Sequence, residues 1–222
     1  MLFLFHKNSG QQQLMLEGND HRYIFKVRRH KVEDTLYLRN LEDGFLHAYL
    51  VTHIDKHFVH LQLQESTVLD VKASNSLHIA WCIIDPKSVE KVLPSLNEMG
   101  VEKITFIYCK RSQKSFKLDF DRLEKILLHS SQQCGRSEMM TLSTNENMEQ
   151  FLEYYPKAKM LNFSENNCIS KHYFETIVIG CEGGFSDEEV ALFKTDDIMG
   201  FDTPLVLKSE SAVCAVASKI LL

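Results

Sequence analysis

Short alternating runs of apolar and polar residues fill the chain up to about residue 70. Alternation with a period of two is typical of strands that bury one face. It predicts strands over 22–25, 35–38, 45–51 and 58–63. Asp43-Gly44 lies between two of these runs and is a common hairpin turn. The first part of the chain is therefore predicted to be a small β-barrel or β-sandwich.

From residue 77 the pattern changes to longer elements. Residues 77–84 form an almost continuous apolar run, which is typical of a parallel strand buried on both faces. Asp85 and Pro86 then supply a favourable N-cap and first helical residue, and Gly100 marks the end of that helix. A second buried strand is predicted over 104–109.

Helices and strands continue to alternate up to the last residue. Further helices are predicted over 119–134, from a capping-box pattern at 143, over 186–193 and over 209–222. Further strands are predicted over 160–163, 176–179 and 203–207. This alternation predicts an α/β domain with a mostly parallel sheet and helices on both faces. Polar residues interrupt the pattern between 68 and 76, so the predicted domains are 1–70 and 76–222.

Basic residues are concentrated in two places, although the chain carries a net charge of −5. One cluster lies between His21 and Val32 and contains Arg22, Lys26, Arg28, Arg29 and Lys31. The other cluster contains Lys110, Arg111, Lys114 and Lys117. Neither includes an acid, whereas acids predominate over 137–204, so the distribution fits a molecule with a basic face for RNA. Two ordinary solvated loops would explain the same clusters equally well.

Cysteine and histidine positions do not indicate a metal site. The six cysteines include no pair with the spacing of a zinc knuckle. We expect them to be free thiols in a reducing compartment. No apolar run approaches the roughly 20 residues of a membrane helix. The sequence therefore favours a cytoplasmic protein that uses no metal and no membrane.

Three glycines follow the predicted strand over 176–179: Gly180, Gly183 and Gly184. Glycines in such a turn let a ligand approach the backbone closely, and ligands of open α/β sheets bind beyond the carboxyl ends of the strands. Glu182 places a negative charge in the turn, which would repel a pyrophosphate. A nucleoside without phosphates fits better, such as the cationic S-adenosylmethionine. A glycine turn with no ligand is equally compatible with this pattern.

Two further segments are weaker candidates for a site. Ser209 and Ser211 begin the last predicted helix, where they can cap backbone donors or hold the carboxylate of a ligand. Capping is the commoner role for such residues. Arg136 follows Gly135 at a predicted helix end, where an arginine complements the helix dipole. That position by itself indicates a structural arginine.

Taken together, three segments resemble motifs of the RsmE-type ribosomal RNA (uracil-N3) methyltransferases of the SPOUT class. They are Gln132-Gln133-Cys134-Gly135-Arg136, Ile179-Gly180-Cys181-Glu182-Gly183-Gly184-Phe185-Ser186 and Val206-Leu207-Lys208-Ser209-Glu210-Ser211-Ala212. Two further family motifs are matched by Glu98-Met99-Gly100-Val101 and Lys110-Arg111-Ser112. The first part of the chain is similar to the family's PUA-like domain, so the resemblance covers most of the sequence.

This resemblance implies a specific fold and activity. The implied fold is a SPOUT-type α/β domain with a C-terminal trefoil knot, preceded by a small PUA-like β-barrel that binds RNA. The implied assembly is an obligate homodimer with the site near the subunit interface. The implied reaction is S-adenosylmethionine-dependent methylation of a uridine at ring nitrogen 3, in the 16S ribosomal RNA of the small subunit. A SPOUT methyltransferase acting on another RNA and a non-catalytic RNA-binding factor are the alternatives.

The residues and the resemblance together assign roles to individual positions. The expected cofactor-binding residues are Leu161, Asn162, Ile179, Gly180, Glu182, Gly183, Gly184, Leu205, Val206, Leu207, Ser209 and Ser211. The expected catalytic residues are Arg111, Arg136 and Lys208, which would stabilise an anion, and Glu210 as a candidate base. The expected RNA-binding residues are Arg22, Lys26, Arg28 and Arg29. The chain departs from the family pattern at Cys181, which replaces a proline, at Lys208, which replaces an arginine, and at Leu205, where an arginine is frequent. Lysine lacks the bidentate fork of arginine.

Overall fold

A computed structural model describes residues 2–164 and 174–222. The chain divides into two compact units, of which the first combines Met1–Lys72 with Ser131–Met139 and the second combines Ala73–Ser130 with Met140–Leu222. The segment Ser131–Met139 joins the first unit through hydrogen bonds. Phe5 N donates to Gln132 Oε1 at 2.8 Å, and Ser137 Oγ donates to Leu69 O at 2.9 Å.

A five-stranded sheet forms most of the first unit. Its strands are β1 (Leu4–Phe5), β2 (Gln13–Glu17), β3 (Thr35–Arg39), β4 (Phe45–Ile54) and β5 (Phe58–Val68), in the spatial order β1-β3-β4-β5-β2. The pairing is antiparallel except between β1 and β3. Alternate residues such as Leu36, Leu38 and Leu61 are buried in one apolar cluster, as the period of two predicts.

The run over 22–25 is not the strand that its alternation predicts. A short helix α1 (Gly18–His21) continues into a π-helical segment, Arg22–Val27. Ile24 is buried in the core cluster of the unit, and Tyr23 and Phe25 pack against that cluster. Four residues are too few to separate a strand from a helical turn, because either conformation can bury one apolar residue of such a run.

A six-stranded sheet forms the centre of the second unit. Its strands are β6 (His78–Cys82), β7 (Lys103–Ile107), β8 (Thr141–Asn145), β9 (Lys159–Leu161), β10 (Thr176–Ile179) and β11 (Ile198–Met199). They lie in the order β11-β9-β10-β6-β7-β8, and every pair is parallel. Every residue of the central strand β6 is buried. The predicted α/β class with a parallel sheet is confirmed.

The helices of the second unit connect these strands. They are α2 (Pro86–Met99), α3 (Phe120–Cys134, whose last turn belongs to the first unit), α4 (Met148–Tyr154), α5 (Asp187–Val190) and α6 (Ser209–Leu221). The ends of α2 follow the sequence signals, since the Asp85 side chain accepts a hydrogen bond from Ser88 N at 3.1 Å. Gly100 then ends the helix with a φ of +98°, a left-handed conformation that favours glycine.

Three predicted elements of this unit are wrong in type or length. The residues from 143 do not begin a helix, because Thr141–Asn145 is the edge strand β8, and α4 is capped by Asn147. A short polar edge strand carries no apolar signal, because one side of it faces solvent. Residues 203–207 form no strand, and the predicted helix over 186–193 ends at Val190.

Cys82 and Cys109 form a disulfide, so the expectation of free thiols is wrong for this pair. The two residues lie at the carboxyl ends of β6 and β7, which are adjacent and parallel. Cys82 pairs with Ile107 in the sheet, and Cys109 follows two residues later. The Cα atoms of the two cysteines lie 5.7 Å apart, within the usual range for a disulfide. Cys134, Cys181 and Cys214 are free thiols, and Cys168 lies outside the described residues. Within those residues, no helix has the length and apolar character to cross a bilayer.

Candidate functional site

A cavity of about 610 Å³ lies at the carboxyl ends of β9, β10 and β11, within the second unit. Most of its wall comes from three stretches of chain, 161–164, 179–185 and 205–209. The first and second stretches begin at the last residues of β9 and β10. Ligands of open α/β sheets bind at this edge, so the cavity is the candidate site.

Nearly all the residues predicted to bind a cofactor line this cavity. Leu161, Asn162, Ile179, Gly180, Glu182, Gly183, Gly184, Leu205, Val206, Leu207 and Ser209 lie on its wall, whereas Ser211 does not. The structure thus brings together two predicted stretches that are far apart in sequence. Contact of these residues with a ligand stays a prediction.

One part of the wall is not predicted by any sequence pattern. Phe163, Ser164, Gly200 and Phe201 also line the cavity. Gly200 and Phe201 directly follow β11, which has only two residues and pairs with β9. A strand of two residues leaves no periodic signal, so nothing in the sequence indicates that this segment reaches the site.

The turn favours glycine at position 184 and leaves little room for a side chain at position 183. Gly184 has a φ of +68°, in the left-handed region that other residues rarely adopt. A Cβ atom at Gly183 would lie 3.2 Å from the Cβ atom of Arg111, a tighter approach than side chains usually make. Gly184 N donates to Cys181 O at 2.9 Å, which closes the turn. The turn therefore presents its backbone to the cavity.

Ser209 joins the glycine turn to the start of α6 and to the sheet. Trp81 Nε1 donates to Ser209 Oγ at 2.8 Å, and Ser209 Oγ donates to Gly180 O at 2.5 Å. Trp81 is fully buried on β6, and Ser209 is 5% exposed. The Ser209 hydroxyl is thus engaged with protein partners, and it caps no helix, because Lys208 is the N-cap residue of α6.

The Glu189 carboxylate connects the loop after β7 to Ser186, just after the glycine turn. Its Oε2 accepts from Ser186 N at 2.9 Å and Ser186 Oγ accepts from Glu189 N at 3.2 Å, which confirms the predicted capping box. Its Oε1 accepts from Lys110 N at 2.8 Å. The neighbouring Arg111 donates from Nη1 to Gly183 O at 2.8 Å. These bonds hold Arg111 at the wall of the cavity.

A family model described as an RNA methyltransferase domain matches residues 71–221. The Ribosomal RNA small subunit methyltransferase E of Helicobacter pylori strain 26695 is 40% identical to this chain over 222 residues, which cover 98% of each protein. The chain belongs to the ribosomal RNA small subunit methyltransferase E family. A protein of the same name from the J99 strain is 39% identical over 98% of each chain.

Two solved structures superpose on most of this chain. The Ribosomal RNA small subunit methyltransferase E of Neisseria gonorrhoeae, bound to S-adenosyl methionine, has a TM-score of 0.80 at 17% identity. Lpg2936 of Legionella pneumophila, assigned as a methyltransferase and in complex with the cofactor SAM, has a TM-score of 0.80 at 23% identity. In each case the match covers 98% of this chain and 95% of the other. The mixed α/β fold is therefore shared with both.

The four residues predicted to be catalytic in this member of the E family do not all reach the cavity. Arg111 and Lys208 line its wall. Glu210 lies in the first turn of α6 and is not on the wall. Arg136 belongs to the first unit, where it is 8% exposed, and is also not on the wall. Their catalytic roles stay predictions.

The residues predicted to bind RNA lie together in the first unit of this E family member. Arg22 and Lys26 belong to the π-helical segment, and Arg28 and Arg29 follow it. All four side chains are exposed. Arg28 Nε donates to Tyr23 Oη at 3.1 Å, which holds this guanidinium 5.5 Å from the centre of the tyrosine ring. The four residues form a basic surface, and its contact with RNA stays a prediction.

Proposed function

We propose that this chain transfers the methyl group of S-adenosylmethionine to ring nitrogen 3 of a uridine in 16S ribosomal RNA. The observation that carries the proposal is the joining of the glycine turn to the 205–209 stretch in one cavity, through Ser209 and Gly180. The E family relatives are named for methylation of small-subunit ribosomal RNA. The structural neighbours from Neisseria gonorrhoeae and Legionella pneumophila hold the same cofactor.

The lining of the cavity fits this cofactor. A volume of about 610 Å³ lies within the usual range for small-molecule sites. Leu161, Ile179 and Leu207 supply apolar surface for an adenine ring, and the glycine turn supplies backbone polar atoms. Glu182 adds a negative charge to the wall, which suits a cationic sulfonium.

The residues of this chain have two chemical tasks in such a reaction. The cofactor, when bound, supplies an electrophilic methyl group. Nitrogen 3 of neutral uracil carries a proton and is a poor nucleophile, so the proton must leave and the resulting anion must be stabilised. Arg111 and Lys208 are the cations on the cavity wall, and we assign the stabilisation to them, a contribution of about 3 kcal/mol for a positioned donor. Arg136 and Glu210 are not on the cavity wall, and their predicted roles as a third stabilising cation and as the base stay predictions.

The proposal includes further features that the family resemblance implies for the fold and the assembly. A C-terminal trefoil knot is supported by the strand order, since β11 lies beyond β9 at the sheet edge. The chain leaves β11 at Met199, on the outer side of β9. Ser209 then donates a hydrogen bond to Gly180, which follows β10 on the other side of β9, so the chain between Met199 and Ser209 crosses the end of β9. A PUA-like RNA-binding domain over 1–70, followed by a methyltransferase domain over 76–222, is supported by the two compact units.

A homodimer is also proposed. Phe163, Leu205 and Val206 line the cavity and are 81%, 71% and 76% exposed in the single chain. Apolar groups exposed at a site favour coverage by another surface, and the resemblance to the family supplies a second copy as the partner. Light scattering at several concentrations would test this, and a monomeric mass at all of them would contradict it.

The reaction is tested by mass analysis of nucleosides from 16S ribosomal RNA incubated with the protein and S-adenosylmethionine. The proposal predicts one methylated uridine, with the methyl group at nitrogen 3. Methylation at a ribose hydroxyl or only in another RNA would support the alternative target. Cofactor binding without any methylated nucleoside, on naked RNA and on assembled subunits, would support a non-catalytic RNA-binding factor.

A further inference from the structure

A basic loop lies beside the cavity, and three of its four cations are not paired with an acid in the described part of the chain. The loop covers residues 108–119, between β7 and α3. Arg111, Lys114 and Lys117 are exposed in it. Across the described residues, none of these three cations lies in an ion pair. The only acid of the loop, Asp119, accepts a hydrogen bond from Arg122 N at 3.1 Å at the start of α3.

The first half of this loop is tied to the site. Cys109 is joined to Cys82 by the disulfide. Lys110 N donates to the buried carboxylate of Glu189, and the Lys110 ammonium pairs with Glu188. Arg111 then donates to Gly183 O. Lys110 is thus neutralised, whereas Arg111 contacts the glycine turn and lines the cavity.

The second half of the loop is held by its own contacts. Tyr108 Oη donates to Phe116 O at 2.8 Å, and Ser112 Oγ accepts from Cys109 N at 3.3 Å. The Lys117 ammonium lies 5.3 Å from the centre of the Tyr108 ring. These contacts fix the loop conformation before any partner binds. Binding to Lys114 and Lys117 therefore costs little ordering of the backbone.

We infer that this loop is a phosphate-binding surface for the RNA substrate, in which Lys114 and Lys117 contact the RNA backbone next to the target nucleotide. The inference rests on the proposed function. The loop follows β7 at the carboxyl edge of the sheet, which is also the edge that holds the cavity, and Arg111 belongs to both. Lysine ammonium groups act as point charges, which suits phosphates and carries no base specificity.

The test measures affinity for transcribed 16S ribosomal RNA over a series of salt concentrations, by fluorescence anisotropy. The test variant is the double substitution Lys114→Gln/Lys117→Gln. The matched control is Lys91→Gln/Lys219→Gln, which removes the same charge from exposed positions on α2 and α6. A third variant, Lys114→Arg/Lys117→Arg, keeps the charge. Calorimetric titration with S-adenosylmethionine checks that the cavity of each variant is intact.

The slope of log affinity against log salt concentration is negative. Loss of two phosphate contacts should reduce its magnitude by about 1.4 to 1.8, since each contact contributes about 0.7 to 0.9. The advantage of wild type over the glutamine variant should then shrink about tenfold between about 50 and 200 mM salt. The control and arginine variants should keep the wild-type slope, and all should keep the wild-type cofactor affinity.

The possible failures are distinguishable. If wild type binds 16S ribosomal RNA and the glutamine variant has the same slope, the loop has no RNA contact, although the proposed function stands. If the arginine variant loses as much affinity as the glutamine variant, the loss comes from distortion of the loop and not from the missing charge. That result would also overturn the inference. If wild type binds neither this RNA nor assembled small subunits, the proposed function and the inference fail together.

Discussion

Replacement of Ser209 by alanine removes the hydroxyl that connects the glycine turn, β6 and α6. Two partners lose a hydrogen bond, Trp81 Nε1 and Gly180 O. A buried polar group left without a partner costs about 1–3 kcal/mol. Trp81 is 0% exposed and takes the full cost, whereas Gly180 borders the cavity, where water can replace part of its bond. We expect a total loss of about 3 kcal/mol in the free energy of unfolding.

Thermal unfolding and cofactor titration measure the two consequences. For a chain of this size, about 3 kcal/mol corresponds to a decrease in Tm of roughly 6–12 °C. Loss of the bond to Gly180 should also weaken S-adenosylmethionine binding about tenfold or more, which corresponds to at least about 1.4 kcal/mol. Ser211→Ala is the matched control, because Ser211 lies in the same helical turn and does not line the cavity. Ser209→Thr keeps a hydroxyl and should recover most of the binding.

If Ser209→Ala unfolds at the wild-type temperature and binds the cofactor with wild-type affinity, the Trp81–Ser209–Gly180 connection does not hold the cavity together. If Ser211→Ala lowers Tm as much as Ser209→Ala does, the effect comes from the helix start and not from the buried hydroxyl.

Further predictions concern other parts of the second unit. Gly184→Ala should lower the free energy of unfolding by about 1–2 kcal/mol, because the new Cβ meets no neighbour but φ is +68°; denaturant unfolding checks this. Glu189→Gln supplies one acceptor oxygen for two N–H donors, so it should lose about 1–3 kcal/mol in the same assay. Burial lowers the pKa of His78 to about 4, so unfolding takes up a proton between about pH 6.5 and 4. The free energy of unfolding should fall by up to about 3 kcal/mol as pH decreases through that window, and His78→Gln should lack this part of the fall; an unchanged pH profile would contradict it.

The sequence predicted those parts of the fold whose signals are local. β6 is buried on both faces, and its uninterrupted apolar run shows this directly. The helix α2 has a capping aspartate and a terminal glycine at its ends, so its bounds were predicted correctly. The glycine turn was found because the positive φ of Gly184 demands a residue type that is visible in the sequence.

The missed features depend on contacts between distant residues. The bond from Trp81 to Ser209 joins positions 128 residues apart, so the sequence offered only capping or ligand binding as roles for this serine. The pairing of Cys82 with Cys109 depends on the adjacency of β6 and β7 and on the path of the chain just beyond β7. The strand β8 is polar because it lies at a sheet edge. Its Ser and Thr residues therefore match the capping-box pattern of a helix start.

Calorimetric titration of the protein with S-adenosylmethionine shows whether the cavity binds this cofactor. We expect saturable heat with one cofactor per chain, and a stabilisation against unfolding of about 2.7 kcal/mol at a hundredfold excess over Kd. Absence of heat together with an unchanged Tm at high cofactor concentration would contradict the assignment of the cavity at Gly180–Gly184 and Leu205–Leu207 as a cofactor site.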